Sequence, residues 1–271
     1  MHIIEQYICG KHLADDCEDG IVSTDDFIAV IDGSTGKTTL RYRPDMTNGR
    51  RCMMLLTNLV THLPAESTVE AFCQAATAVI ARYYPAAHHD CAVVVPPHER
   101  LCASIIVYSR LRHEIWMIGD CRCMVDGVLY DNPKPDEERF ARQRAALFAS
   151  CMAQHPDMII DGKLVHDYAR DAILPELIDA MHDENITYAV IDGYPVYMPG
   201  VKIVPVPLYA TDIVLASDGY PHLFPTLSDS EAALRQLLDN DPFCIKDFLA
   251  TKGTMRNNIS FDVRSYIRFT P

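Results

Sequence analysis

Three apolar runs in this sequence stop in the same way. "FIAVIDG" (Phe27–Gly33), "EIWMIGD" (Glu114–Asp120) and "DIVLASDG" (Asp212–Gly219) each end on an aspartate that adjoins a glycine. Runs so rich in branched apolar residues read as buried strands, and the glycine lets backbone come close at the strand end. Two further acidic points belong with them. Asp262 lies at the start of the last strand-like run, "SFDVRSYIRF", and Glu18-Asp19 immediately precedes the segment leading to Asp32. Any one Asp-Gly pair is also a common turn. The recurrence is what points to a site, because acids gathered at strand ends suit hard divalent cations, which take oxygen ligands.

The rest of the chain supplies a frame for those strands. A short strand is predicted over His2–Ile8, and two helices near Gly49–His62 and Ser67–Tyr83, parted by Leu63-Pro64. Cys102–Leu111 and Glu114–Asp120 read as a hairpin about Arg112-His113, and Asp126-Gly127 as a second tight turn. Pro135–Met158 and Leu164–Asp183 are helical by periodicity and look inserted between β-rich halves. Strands resume at "TYAVID", "VKIVPVPL" and "DIVLASDG", followed by amphipathic pieces over Ser228–Asp239 and Pro242–Thr251 and a final strand. No repeat or linker is visible. The order predicts one α+β domain over residues 1–271, a β-sandwich with helices on its outer faces and a helical insert at about 135–183.

Bulk properties narrow the partners. With 271 residues, 49% hydrophobic and 23% charged, the chain can bury a core. A formal net charge of -13 argues against nucleic acid and anionic membranes as partners. Ten cysteines are scattered, with Cys121-x-Cys123 the closest approach to a metal spacing, so they read as reduced, mostly buried thiols. The sequence opens without a signal-peptide pattern, and no apolar run approaches the ~20 residues of a membrane span. A soluble, cytoplasmic protein is expected.

One competing motif fails on spacing. "GSTGKTT" (Gly33–Thr39) resembles a phosphate-binding loop, but G-x-x-x-x-G-K-[ST] puts its first glycine at position 31, which is Ile31. The β-branched, Pro-interrupted "TTLRYRPDM" that follows is a poor start for a helix. Elsewhere, His88-His89 and Asp90 read as a surface loop, His222 as a solvent-facing turn residue, Cys121 and Cys123 as core, and Trp116 as packing within a strand.

Read in order, "CEDGIVSTDDFIAVIDGS", "IWMIGDCRCMVDG", "DIVLASDGY" and "SFDVRSYIRF" resemble the metal-dependent Ser/Thr protein phosphatases of the type-2C (PPM) family. That family's motifs are E-D, D-G at a strand end, G-D-S-R, [AS]-x-D-G, and D-[ND]-x-[ST] leading into the last strand. The resemblance runs from Glu18 to Ile267, and "YDNPKPDEER" resembles the family's D-H-K-P stretch. It implies two packed antiparallel sheets flanked by helix pairs. It also implies two Mg²⁺ or Mn²⁺ ions, with a third provided for: Asp32 would bridge two ions, Gly33 would lend its carbonyl to one, and Asp218 and Asp262 would complete the other. Glu18 and Asp19 would hold waters on the ions, and Asp120 would bind an additional ion with Asp218. The implied catalytic residues are Asp32, Asp218 and Asp262, the nucleophile a metal-activated water, and the substrate a phosphoprotein or other phosphomonoester. Two departures stand out. Ala14 occupies the position of a phosphate-gripping arginine, and Ser34 that of a histidine used by the animal enzymes, which bacterial relatives also lack. Lys37, Arg41, Arg43 and Lys11 are the available replacement cations, with Lys37 preferred. The departure at Ala14 keeps open a second expectation, a catalytically impaired domain serving as a regulatory or phosphopeptide-binding module.

Overall fold

The computed structural model describes residues 1–12, 17–84 and 94–271. Ala14, His88, His89 and Asp90 therefore lie outside the described residues. Strands β1 (His2–Cys9), β2 (Asp19–Ser23) and β3 (Phe27–Gly33) lead to helices α1 (Asn48–Thr61) and α2 (Val69–Ala81). Strands β4 (Ala103–Ser109), β5 (Glu114–Ile118), β6 (Arg122–Val125) and β7 (Val128–Tyr130) follow. The insert then contributes α3 (Glu137–Gln154), a small hairpin of β8 (Ile159–Ile160) and β9 (Lys163–Leu164), and α4 (Tyr168–Ala180). Strands β10 (Lys202–Pro205) and β11 (Ile213–Ala216), helix α5 (Leu227–Asn240) and strand β12 (Arg264–Thr270) complete the fold.

Two five-stranded antiparallel sheets result, ordered β1-β12-β11-β6-β7 and β10-β5-β4-β3-β2. Alternation along β3 explains why its sequence is apolar throughout. Phe27, Ala29 and Ile31 face α1 and α2, packing with Leu56, Phe72 and Trp116, whereas Ile28 and Val30 face the other sheet and meet Ile267 and Phe269. A strand with both faces covered has no polar side to show. Cys121 and Cys123 lie in that intersheet layer, as expected. The outer face of the first sheet (Met124, Val214, Ala216, Tyr266) is covered by Leu234 of α5 with Phe261 and Tyr220. Threonines cap the helices on the other side: Thr47 Oγ1 accepts the Arg50 N–H at 3.2 Å and Thr68 Oγ1 the Ala71 N–H at 3.2 Å. The predicted α+β class, with two packed sheets between helical layers, is what the chain adopts.

The local differences have identifiable causes. Pro242–Thr251 is not a helix. The Asp241 carboxylate accepts the N–H groups of Ile245, Lys246 and Asp247, at 2.9, 2.7 and 3.0 Å from Oδ2, and holds an irregular strap instead. "TYAVID" is not a strand. Asn185 takes both backbone groups of Val190, leaving only isolated bridges, of Tyr188 with Glu184 and of Ile191 with Ala103. The β4–β5 hairpin turns through four residues, from Ser109 paired with Glu114, with His113 at φ 50°. Asp126 (φ 46°) and Gly127 (φ 81°) form the tight turn predicted between β6 and β7. No helix is long and apolar enough to cross a membrane among the described residues.

The insert has its own apolar cluster of Phe148, Met158, Leu164 and Ala169. One buried side chain ties it to the strap. Arg144 Nε donates to Asp167 Oδ2 at 2.9 Å, and its Nη1 donates to the carbonyls of Phe243, Cys244 and Ala250 at 3.0, 3.3 and 3.1 Å.

Candidate metal centre

The strand ends bring the acids together. Asp19 on β2 is the register partner of Asp32 on β3, so the two side chains share a face of the sheet. Asp120 follows β5 through Gly119, whose φ of 92° suits glycine. Asp218 lies just beyond β11 and Asp262 just before β12. Their loops touch at Gly219, where a Cβ would run into the Val263 carbonyl. Among the described residues, Asp32, Asp120 and Asp218 form the group whose carboxylate oxygens come within 4.8 Å of one another.

The buried carboxylates are incompletely satisfied. Asp19 is 3% exposed and Glu18 4% exposed. Ser265 Oγ donates to Asp19 Oδ2 at 2.8 Å and Thr35 Oγ1 to Glu18 Oε2 at 2.7 Å. The second oxygens, Asp19 Oδ1 and Glu18 Oε1, have no hydrogen-bond partner among the described residues. Buried carboxylate oxygens without donors are costly, and a cation or its waters would satisfy them. The residues at Asp19, Asp32, Asp120 and Asp218 therefore fit a hard divalent ion.

Asp262 is differently placed. Its Oδ1 lies 3.2 Å from Lys11 Nζ and accepts the Val263 N–H at 3.0 Å, and its Oδ2 is paired with Lys252. The structure does not bring it into the group formed by the other three. Lys134 makes a comparable pair with Asp120 Oδ2 at 2.6 Å, while Ser104 Oγ donates to Oδ1 at 2.6 Å.

The electrostatics follow from these partners. Burial, with repulsion from Asp218, Asp19, Asp120 and Asp262, pushes Asp32 well above the usual carboxylate range. Burial and the charges of Asp120 and Asp262 push Asp218 up to about 7. Burial raises Asp19 to about 7, even though serine hydroxyls favour its ionised form. Burial opposes ionisation of Asp262 and Asp120 too, but Lys252 and Lys11 hold the first, and Lys134 the second, below the usual range.

A stability prediction follows. Asp19, Asp32 and Asp218 have folded-state values above their unfolded ones, so their contribution is full in acid and is lost as pH rises, for Asp19 and Asp218 through about 7. Asp120 and Asp262, being depressed, change only below about pH 4. In EDTA the melting temperature should therefore fall between pH 5 and 7.5, by roughly 10 °C for a loss of a few kcal/mol. Mn²⁺ at pH 7.5 should restore it. A flat profile in EDTA would mean that neither burial nor mutual repulsion raises these acids in the folded chain.

A cleft of about 520 Å³ opens over the acids. Asp32, Asp120, Asp218 and Asp262 line it together with Lys37, Lys134, Arg170 and Lys252. Lys37 is brought to the cleft, where burial and the nearby charges of Arg170, Lys252 and Lys134 lower it to about 8. Of the other cations suggested by sequence, Lys11 lies against Asp262, whereas Arg43 pairs with Asp45 on the surface and Arg41 is exposed. His222 is exposed, as expected. Sequence reasoning missed Lys134, Arg170, Lys252 and Glu184. Glu184 lines the cleft, is 8% exposed, and is raised to about 7 by burial and Asp192. The insert, which supplies Arg170, was legible only as helices.

No protein-family model matches the chain, and no curated protein sequence matches it. Solved structures do align over its whole length. The serine/threonine phosphatase PstP/Ppp of Mycobacterium tuberculosis is 12% identical over 99% of both chains, with a TM-score of 0.43. The PPM Ser-Thr phosphatase MsPP of Mycobacterium smegmatis, solved with cacodylate, is 12% identical over 99% of both chains at 0.44. PppA, a regulatory component of T6SS in Pseudomonas aeruginosa, is 14% identical over 100% of this chain and 99% of its own at 0.46. At such identities and TM-scores the likeness is loose, and the reading of the site rests on its own geometry.

Proposed function

We propose that the protein is a metal-dependent phosphomonoester hydrolase acting on phosphoserine or phosphothreonine. The observation that carries this reading is the mixed lining of one cleft, in which clustered Asp32, Asp120 and Asp218 share about 520 Å³ with Lys37, Lys134, Arg170 and Lys252. Acids alone would repel a phosphate dianion. The cations draw it in, and the acids hold a divalent ion against it. Such an ion, when bound, supplies the Lewis acidity that lets water attack a phosphoryl group near neutral pH.

The chain's own residues do the rest. Asp32 and Asp218 hold the ion, Asp19 and Glu18 present unsatisfied oxygens to its waters, and Lys37 binds the phosphoryl oxygens in place of the arginine absent at Ala14. No covalent phosphoenzyme is involved, so Ser34 and the cysteines have no part in the chemistry. Hydrolysis of p-nitrophenyl phosphate should require Mn²⁺ or Mg²⁺ and vanish in EDTA. Lys37→Met should raise KM roughly tenfold, as expected for one lost charge-assisted contact, with less effect on kcat. Turnover that persists in EDTA would sink the reading.

A second reading, a catalytically impaired domain that regulates or binds phosphopeptides, is favoured by the two lysines held against Asp262. It predicts Mn²⁺ binding that needs Asp32, with no turnover.

A further inference from the structure

We propose that this centre holds a single divalent cation, at Asp32, Asp120 and Asp218, and that the ammonium groups of Lys11 and Lys252 stand where a second ion would otherwise join Asp262. The inference rests on the metal-centre reading above and concerns how that centre is charged.

Both oxygens of Asp262 are committed. Lys11 Nζ is 3.2 Å from Oδ1 and Lys252 is paired with Oδ2. Neither lysine is a stray surface group. Lys11 Nζ also donates to Thr35 Oγ1 at 3.2 Å, and that hydroxyl in turn donates to Glu18 Oε2 at 2.7 Å. Lys11 is thus bonded into the acidic cluster from both Asp262 and the Glu18 side. Lys252 directly follows the strap of residues 242–251, whose path is set by the Asp241 turn and by Arg144. An ion bound to Asp262 would have to displace both ammonium groups or sit against them, and like charges so close repel strongly.

The rest of the cluster invites a cation. Asp19 Oδ1 and Glu18 Oε1, each on a residue more than nine-tenths buried, lack any hydrogen-bond partner among the described residues. Asp19 lies across the strand register from Asp32. The centre is therefore asymmetric. Among the described residues, one flank presents unsatisfied carboxylate oxygens and a single ammonium, Lys134 at 2.6 Å from Asp120 Oδ2, whereas on the other both oxygens of Asp262 are held by lysines, of which Lys252 lines the cleft.

Calorimetric titration with Mn²⁺, paired with electron paramagnetic resonance to detect coupled ion pairs, tests this directly. The wild type should bind one Mn²⁺ with no coupled-pair signal. Lys11→Met/Lys252→Met should bind two and show coupling, because Asp262 is released. Adding Asp262→Asn to that pair should return the count to one, at an affinity no weaker than wild type. Two ions in the wild type, or one in the double-lysine variant, would overturn the proposal while leaving the metal centre intact. So would a triple variant that binds Mn²⁺ 100-fold more weakly than wild type, since Asp262 would then be a ligand. A wild type that binds no Mn²⁺ would overturn it together with the metal-centre reading.

Discussion

Replacing Asp32 with asparagine is expected to lower kcat/KM for p-nitrophenyl phosphate by roughly 10³-fold or more, a loss of several kcal/mol of transition-state stabilisation. Asp32 sits between its strand partner Asp19 and the carboxylates of Asp120 and Asp218, so no other residue can take over its contact with a shared ion. The same substitution should have the opposite sign on stability. Asp32 is held above the usual carboxylate range by burial and four neighbouring acids, so removing its charge relieves repulsion in the metal-free chain. In EDTA at pH 7.5 the variant should melt higher than wild type. Loss of activity with a raised melting temperature separates a functional acid from a structural one. Full activity in the variant would place the chemistry elsewhere.

The second large effect is expected at Asp167. Arg144 is fully buried, and Asp167 is its counter-charge. Asp167→Asn keeps a side-chain oxygen for the Arg170 N–H that Asp167 accepts at the start of α4, but leaves the guanidinium uncompensated. Breaking a buried pair in this way destabilises by about 3–5 kcal/mol, equivalent to a fall of roughly 10 °C in a chain of this size. Because Arg144 also donates to Phe243, Cys244 and Ala250, the loss should reach the strap that leads to Lys252. Calorimetry would show the fall, and hydrogen exchange would locate it in α3, α4 and the strap. An unchanged melting temperature would mean that the three carbonyls alone stabilise the arginine.

The acidic positions were readable because each is marked locally. An apolar strand that stops on aspartate beside glycine shows its geometry in seven residues, and Asp32, Asp120 and Asp218 do meet. The lysines carry no such mark. Lys11 and Lys252 are separated by most of the chain and meet at Asp262 only after β1 and β12 have paired. Lys134 and Arg170 look like ordinary solvated side chains until the insert folds back over the cleft. Two element assignments failed because side chains satisfied backbone groups that periodicity gives to a helix or strand. Asp241 did this for the strap and Asn185 for the segment after α4. The Ala14 departure lies outside the described residues, so Lys37 remains the proposed phosphate contact.

The strand order has a consequence for how the chain is assembled in time. β12 lies between β1 and β11, so the first strand finds its neighbour only after some 260 residues have been made. The sheet of β2 to β5 is built from sequence-adjacent pairings and can form earlier. During synthesis Glu18, Asp19, Asp32 and Asp120 are therefore gathered before Ser265, Lys252 or Asp262 has emerged from the ribosome. A nascent chain at that stage carries crowded carboxylates and an uncovered apolar sheet face at once, and this is the interval in which free Mg²⁺ and chaperones would matter most to its yield.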